Sequence, residues 1–213
     1  MRRVRLRLLA CGSCRVPAVM ARRDAGLRRA RFPALVGLIE HPTWGIVLFD
    51  TGYDPAFLAA TARLPERAYR WATPVSLPEG ESAVEQLARL GHAPRDVGAV
   101  IVSHFHGDHV AGLRRFPRAR LFCSAEGLAA IRGAGRLAGA RQGLLGGLVP
   151  DDAEGRATFF EDRPAVTPPG ALAPFDAAAD VLGDGSLLAV PLPGHAAGHW
   201  GLVLRHADDR YAF

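Results

Sequence analysis

Three histidines and an aspartate, His104, His106, Asp108 and His109, fall within six consecutive residues of the segment Ser103-His104-Phe105-His106-Gly107-Asp108-His109. Imidazole nitrogen and carboxylate oxygen are donors that Zn²⁺ accepts, at roughly 2.0–2.2 Å. Where a strand ends and the chain turns, His104 and His106 can point to one side and grip one cation, while Asp108 and His109 turn toward a second beside it. The competing reading is a solvated loop, or histidines satisfied by hydrogen bonds alone. So dense a cluster at a strand terminus serves no structural purpose that would favour it. No Gly-x-Ser-x-Gly elbow occurs anywhere in the chain, which is consistent with a water activator rather than a serine nucleophile.

The elements that must present this cluster are legible around it. Residues 97 to 103 form a short apolar run of strand length, which predicts a fully buried strand leading into the histidines. Before it, residues 82 to 90 read as a helix: Ser82 and Glu85 make a capping-box pair, Val84, Leu87, Ala88 and Leu90 form an apolar face, and Gly91 ends it. Earlier strands are expected at residues 3 to 10, 34 to 40 and 44 to 49, with His41-Pro42-Thr43 as a tight turn and an antiparallel start. After the cluster, residues 120 to 124 read as a strand and 124 to 148 as Gly-interrupted helix. Residues 150 to 175, with Pro164, Pro168, Pro169 and Pro174, read as an irregular surface excursion. The end is β again: Val181-Leu182, a Gly183-Asp184-Gly185 turn, residues 186 to 190, residues 202 to 206, and a turn at Ala207-Asp208-Asp209. Strands at both ends with helices between predict α+β layers.

Composition bounds the function classes. A chain of 213 residues that is 49% hydrophobic is globular, and no repeat or long linker divides it. With 24 Gly and 16 Pro it is rich in turns without being low-complexity. All 26 basic residues are Arg, a composition bias rather than a functional signal. Ten of them lie in residues 1 to 31 against Asp24 alone, leaving a mildly acidic body, so a nucleic-acid footprint over the whole surface is not supported. No apolar run reaches the roughly 18 residues a bilayer span requires. The leading residues, interrupted by Arg5 and Arg7, read as a strand alternating Val4, Leu6 and Leu8 rather than as a signal segment. Three cysteines make no disulfide framework, and the expected compartment is the reducing cytoplasm. Cys11-Gly12-Ser13-Cys14 has redox or metal spacing but lacks a following helix, and reads as two free thiols; Cys123 reads as a small buried residue.

His104-x-His106-x-Asp108-His109 resembles the metal-binding motif of the metallo-β-lactamase superfamily. Phe49-Asp50-Thr51-Gly52 resembles that family's first motif, and Pro193-Gly194-His195-Ala196-Ala197-Gly198-His199 its third-histidine motif. The three occur in family order over residues 49 to 199. The resemblance implies an αββα sandwich with the metals at one sheet edge. It also implies two zinc ions, the first on His104, His106 and His195, the second contacted by Asp108 and His109, with Asp50 orienting ligands from outside the coordination sphere. Asp108 would hold the attacking water and carry its proton to the leaving group. His199 matches a position that is usually not a ligand and is expected as a packed or exposed histidine; His41, His92 and His206 are expected to be structural.

The family pattern also implies a bridging Asp at the end of a later strand and a final His. Here Asp208 and Asp209 fall in a turn before residues 211 to 213, and both ligands are missing. The expectation is one metallo-β-lactamase-like domain over residues 1 to 213, incomplete at its C-terminal end, with one secure zinc and weak or no hydrolysis; two tightly bound zinc per chain would overturn it. The nearest subclass resembles acyl-homoserine-lactone hydrolases, which implies a small ester or lactone substrate. A mononuclear iron persulfide dioxygenase on the same three histidines is the alternative, separable by metal analysis and oxygen consumption, as is a metal-poor binding module. Substrate contacts and oligomeric state are unassigned. The apolar stretch from Leu128 to Leu148 reads either as a lid that accepts an acyl chain or as packed helix. The Arg22 to Arg31 cluster reads as a solvated loop, with an anion-binding role as the other option.

Overall fold

Two β-sheets lie face to face in the computed structural model, which describes residues 3–20, 24–168, 174–206 and 211–212. In chain order the elements are β1 (Arg5–Pro17), β2 (Arg29–His41), β3 (Gly45–Phe49), α1 (Pro55–Ala60), α2 (Glu66–Ala72), β4 (Val75–Ser76), α3 (Ala83–Arg89), β5 (Val97–Ile101), α4 (Gly107–Val110) and β6 (Arg120–Cys123). They continue with α5 (Ala125–Gly133), α6 (Arg136–Gln142), α7 (Ala153–Arg156), β7 (Ala157–Phe159), β8 (Ala165–Val166), β9 (Ala178–Asp180), β10 (Leu187–Pro191), β11 (Trp200–Arg205) and β12 (Tyr211–Ala212). The large sheet runs β4-β1-β2-β3-β5-β6-β7 and the small one β12-β11-β10-β9-β8. As expected the chain starts antiparallel, β1 on β2 on β3, and turns parallel from β3 through β5 and β6 to β7.

Burial on both faces explains the unbroken apolar run of β5. Ala99 and Ile101 face the sandwich interior with Ile39, Val47 and Phe122, against Leu187, Ala189, Leu202 and Leu204 of the small sheet. Val97 and Val100 face the other way, with Leu38 and Leu48, against Phe57, Leu87, Val110, Leu128 and Ile131 of the helices. A central parallel strand covered on both sides has no polar face to alternate with, and each fully buried Val, Leu, Ile or Phe among these contributes about 1.5–3 kcal/mol. On the small sheet's outer face Leu188, Val190 and Val203 cluster with Ala178, Val166 and Phe175, with no helix among the described residues of that cluster. Among the described residues the layers are therefore helix, sheet, sheet: the two facing sheets and the helices over the large sheet are those of the αββα sandwich the motifs implied, and helices over the small sheet are not among those residues.

Helix α3 is capped as read: Ser82 N–H donates to Glu85 Oε2 at 3.1 Å and Glu85 N–H to Ser82 Oγ at 3.4 Å. Other boundaries differ for identifiable reasons. Strand β1 does not stop at residue 10, because a bulge between Ala10 and Ser13, with Gly12 at φ +76°, carries it on to Pro17; Cys11 and Cys14 are thus strand residues. β2 begins at Arg29 rather than 34, since residues 29 to 33 pair with that extension. Leu8 stays 61% exposed although it shares a face with Val4 and Leu6. The expected strand at Val181-Leu182 is displaced to β9, because the Asp180 carboxylate accepts from Gly183 N and Gly185 N at 3.0 and 2.9 Å and so starts the turn. The segment read as irregular contains α7 and β7, which is the edge strand of the large sheet. Helix α5 and helix α6 divide the Gly-interrupted stretch, and α1 and α2 carried no expectation. The turn at Asp208 and Asp209, and Arg22 and Arg23, lie outside the described residues.

His41 ties the two sheets together. At the end of β2 its Nδ1 accepts from Thr43 N and Trp44 N, both at 3.2 Å, while Nε2 reaches Ser186 Oγ at 3.1 Å and Asp184 Oδ2 at 3.2 Å beyond β9.

Gly52 shows how closely the first motif is packed. Its φ is +66° and a Cβ there would overlap the Cβ of Cys11 on β1. A Gly52→Ala protein is expected to lose roughly 2–5 kcal/mol, from the left-handed backbone and the overpacking together, read as a lowered melting temperature of the metal-free protein.

Candidate metal centre

Three loops meet at the C-terminal ends of β3 and β5. The first follows β3: Asp50 N donates to Ile101 O at 2.8 Å, extending the parallel pairing by one bond. Asp50 then turns at φ +64°, the only non-glycine residue with positive φ among those described. A strained conformation of this kind, tolerated by Asp better than by most residues, persists only where surrounding contacts enforce it. The enforcing contacts are on the second loop. The buried Asp50 carboxylate accepts from Ser103 N at 2.8 Å, from Ser103 Oγ at 2.8 Å and from His109 Nδ1 at 2.7 Å. Thr51 fixes the following helix α4: its N and Oγ1 both donate to His109 O at 2.8 Å, and its Oγ1 accepts from Gly112 N at 3.1 Å.

These bonds determine which ring nitrogens are bare. The single proton of Ser103 Oγ goes to Asp50, so at 3.0 Å from His104 Nδ1 the hydroxyl can only accept. His104 therefore carries its proton on Nδ1 and presents a lone pair at Nε2. His109 donates Nδ1–H to Asp50, so Nε2, 3.5 Å from Asp108 Oδ2, is the atom it would present once a cation displaces its second proton. His104 Nε2 stands 3.1 Å from His106 Nδ1, close to the edge of about 3.3 Å that a tetrahedral zinc with bonds of 2.0–2.1 Å would require.

The third loop brings His195. One donor atom each from His104, His106 and His195 lies within 4.8 Å of the others, and this is the one such convergent group among the described residues. The loop docks through Trp200 N to Ser103 O at 2.9 Å. Gly198, at φ +58°, packs on the start of α5 where a Cβ would overlap Ser124 Oγ. His104 is buried while His195 is exposed, so the cluster opens to solvent on the His195 side.

The donor set fits a divalent cation electrostatically. Burial, then the neighbouring imidazoles, keeps His104 far below the usual histidine range, and burial and His195 push His106 down to about 4. Neutral imidazole is the ligand form. His109 differs: burial works against its charge, but the Asp50 carboxylate and its hydrogen bond, with Asp108, outweigh it and push the ring up to about 9.

Geometry therefore unites His104, His106 and His195, and sets Asp108 and His109 beside them with Asp50 behind. His199 is packed rather than exposed: its ring centroid is 4.7 Å from that of His104, outside the convergent group, and its buried Nδ1 has no partner. Ser103, which links Asp50 to His104, was not singled out from sequence; its place between a buried strand and the first histidine is the signal that was available. Cys11, Cys14 and Cys123 are buried free thiols, and burial pushes Cys11 and Cys123 up to about 12, which suits inert packing. Leu128, Ile131, Leu144, Leu145 and Leu148 of the stretch read as lid or packed helix are core residues, while Leu137 is exposed and Leu144 also lines a cleft at the cluster. Arg29 and Arg31, exposed on the β1–β2 hairpin, bond to Arg15 O and Ser13 Oγ.

Two clefts reach the cluster. One of about 510 Å³ is bounded by His106, Gln142, Leu144, His195 and residues 194 to 197. The other, about 580 Å³, has Asp108, His109 and His199 at its floor and apolar side chains from both sheets, Leu8 among them, as walls.

Residues 29–213 match the metallo-beta-lactamase superfamily. The chain belongs to that superfamily. This metallo-beta-lactamase superfamily member is a metallo-hydrolase with relatives among lactonases. It is 30% identical over 209 residues to N-acyl homoserine lactonase AttM of Azorhizobium caulinodans, covering 95% of this chain and 71% of that protein. It is 31% identical over 167 residues to the probable metallo-hydrolase Rv2300c of Mycobacterium tuberculosis, covering 73% of this chain and 47% of that one. In fold it is similar to B. thuringiensis AiiA solved with N-decanoyl-L-homoserine at the active site, with a TM-score of 0.70 at 18% identity over 97% of this chain and 73% of that one. It is similar also to AidC, a dizinc quorum-quenching lactonase, with a TM-score of 0.60 at 13% identity over 97% of this chain and 69% of that one. Among the described residues no helix is long and apolar enough to cross a membrane.

Proposed function

We propose that this superfamily member is a zinc-dependent hydrolase of small lactones of the N-acyl homoserine lactone type. His104, His106 and His195 hold the first zinc, Asp108 and His109 contribute to a second, and the whole is one domain. The observation that carries the reading is the convergence of three imidazoles, two of them held neutral by their surroundings, beside an acidic side chain they do not need as a ligand. Bound zinc would supply a Lewis acid for the ester carbonyl and lower the pKa of water toward about 7. Asp108, partly exposed beside His109, would take a proton from the attacking water and return it to the departing alkoxide. Asp50 and Ser103, by holding the Nδ1 side of His109 and His104, would leave the Nε2 atoms of both rings to bound zinc. The lactonase relatives support the substrate class, and three buried free thiols support a reducing cytoplasm.

Zinc content should include one tightly held ion per chain, because among the described residues three histidines converge on the first position. Zinc-loaded protein should open N-hexanoyl homoserine lactone, followed as acid release, and a chelator should abolish that activity until zinc is restored. Absence of turnover by the zinc-loaded chain, or activity restored only by iron with oxygen uptake, would replace this reading.

A further inference from the structure

The cleft on the His195 side contains one polar side chain with no metal to serve. Of its lining, His106 and His195 are committed to the metal, while Leu144, Gly194, Ala196 and Ala197 are apolar or lack a polar side chain. Gln142 remains. It is the last residue of α6, it is exposed and lines the cleft, and no hydrogen bond or ion pair within the described protein engages its side chain.

Its position is held firmly. Gly143, at φ +75°, closes α6, and Leu144 N returns to Gly139 O at 2.9 Å, the bond of a Schellman closure. The next residues are joined to the metal loop itself: Gly107 N donates to Gly143 O at 3.2 Å, and Leu144 bridges to His106. Position 143 also lies close against the metal loop, since a Cβ there would sit 3.3 Å from the Tyr69 hydroxyl and 3.4 Å from His106 Cδ2. The α6 terminus is thus part of the wall of the metal site, with Gln142 at its rim.

A carboxamide is both donor and acceptor, so it complements a group that offers one N–H and one C=O together. A secondary amide is such a group; an alkyl chain or a simple ester is not. We propose that Gln142 is a specificity-determining residue that hydrogen-bonds a secondary amide next to the scissile carbonyl, the amide's apolar substituent lying along Leu144, Ala196 and Ala197. This rests on the lactone reading above and narrows it: the site should prefer amide-bearing lactones over alkyl lactones of equal length.

The test compares zinc-loaded parent and Gln142→Met, a change that keeps length while removing both hydrogen-bonding groups, on N-hexanoyl homoserine lactone and on an alkyl γ-lactone of similar size. The expected result is a selectivity ratio for the amide substrate lowered about tenfold, the fold-change that net neutral hydrogen bonds give, expressed in KM rather than kcat, with unchanged zinc content and melting temperature. Binding of the ring-opened product N-hexanoyl homoserine, measured calorimetrically in the same two proteins, should weaken by a similar factor and does not depend on turnover. If the parent hydrolyses both lactones and the ratio does not move, or both substrates lose equally, the Gln142 inference fails while the lactonase reading stands. If the parent neither hydrolyses the amide lactone nor binds its product, both fall together.

Discussion

A His195→Ala protein is expected to lose its tightly held zinc and more than about 100-fold in kcat/KM, beyond the 10- to 100-fold typical of losing only an outer-shell partner. Its metal-free fold should stay within about 0.5 kcal/mol of the parent, as surface substitutions do. The separation follows from exposure: His195 stands in solvent on a loop, with no hydrogen bond of its side chain to the protein to lose. His104→Ala should strip the metal equally but also lower the melting temperature of the metal-free protein. That ring is 2% exposed and packs against those of His106, His109, His195 and His199 at centroid distances of 4.0 to 4.8 Å. His92→Ala, outside every motif, should keep its zinc. Metal analysis of the three purified proteins, with melting curves before and after chelation, reads all of these. Retention of stoichiometric zinc by His195→Ala would remove His195 from the first position.

The contrast between these histidines also shows what a sequence can and cannot disclose. His104, His106, Asp108 and His109 were legible because they are crowded together behind a buried strand, where local order alone constrains them to one sheet edge. His195 lies 89 residues beyond His106, and only resemblance to a family motif joined it to them; no local periodicity carries that contact. The packing of His199 on His104 was illegible for the same reason, because it depends on Trp200 N pairing with Ser103 O across the two sheets. Gln142 has no motif at all and reaches the cleft through the closure of α6 on Gly143. In the scaffold, buried β5 and the Ser82–Glu85 cap were readable from short-range pattern. β7, three half-buried residues inside an acidic, proline-rich stretch, was not, since its strand character comes from pairing with β6 rather than from its own composition. The early end assigned to β1 has a similar origin: Gly12 reads as a terminator until the bulge that uses its positive φ is seen.

Asp50 should contribute strongly to metal binding without being a ligand, and the two substitutions that test it should differ in kind. Asp50→Asn keeps the size of the side chain and, with Asp, shares tolerance of the left-handed backbone at φ +64°. Its oxygen can still accept from Ser103 N, but the amide nitrogen now faces Ser103 Oγ and His109 Nδ1, where the carboxylate had accepted two protons. Ser103 Oγ must then accept from the amide and turn its own proton to His104 Nδ1, and His109 must give up its Nδ1 proton. In both rings the proton moves to Nε2, the atom that faces the metals. The fold survives and the lone pairs do not. Zinc affinity is therefore expected to fall about 10- to 100-fold, the range measured when such outer partners are lost, with near-parental melting of the metal-free protein. Asp50→Ala should bind zinc as poorly and melt lower. It leaves the buried Ser103 N–H without an acceptor, a cost of about 1–3 kcal/mol, and places alanine in a left-handed conformation that costs about 1–2 kcal/mol more. Competition of each variant for zinc against a chromogenic chelator, alongside thermal melts, distinguishes the two. An Asn variant that held zinc as tightly as the parent would show that the ring protons are set by the metal itself and not by the Asp50–Ser103 chain.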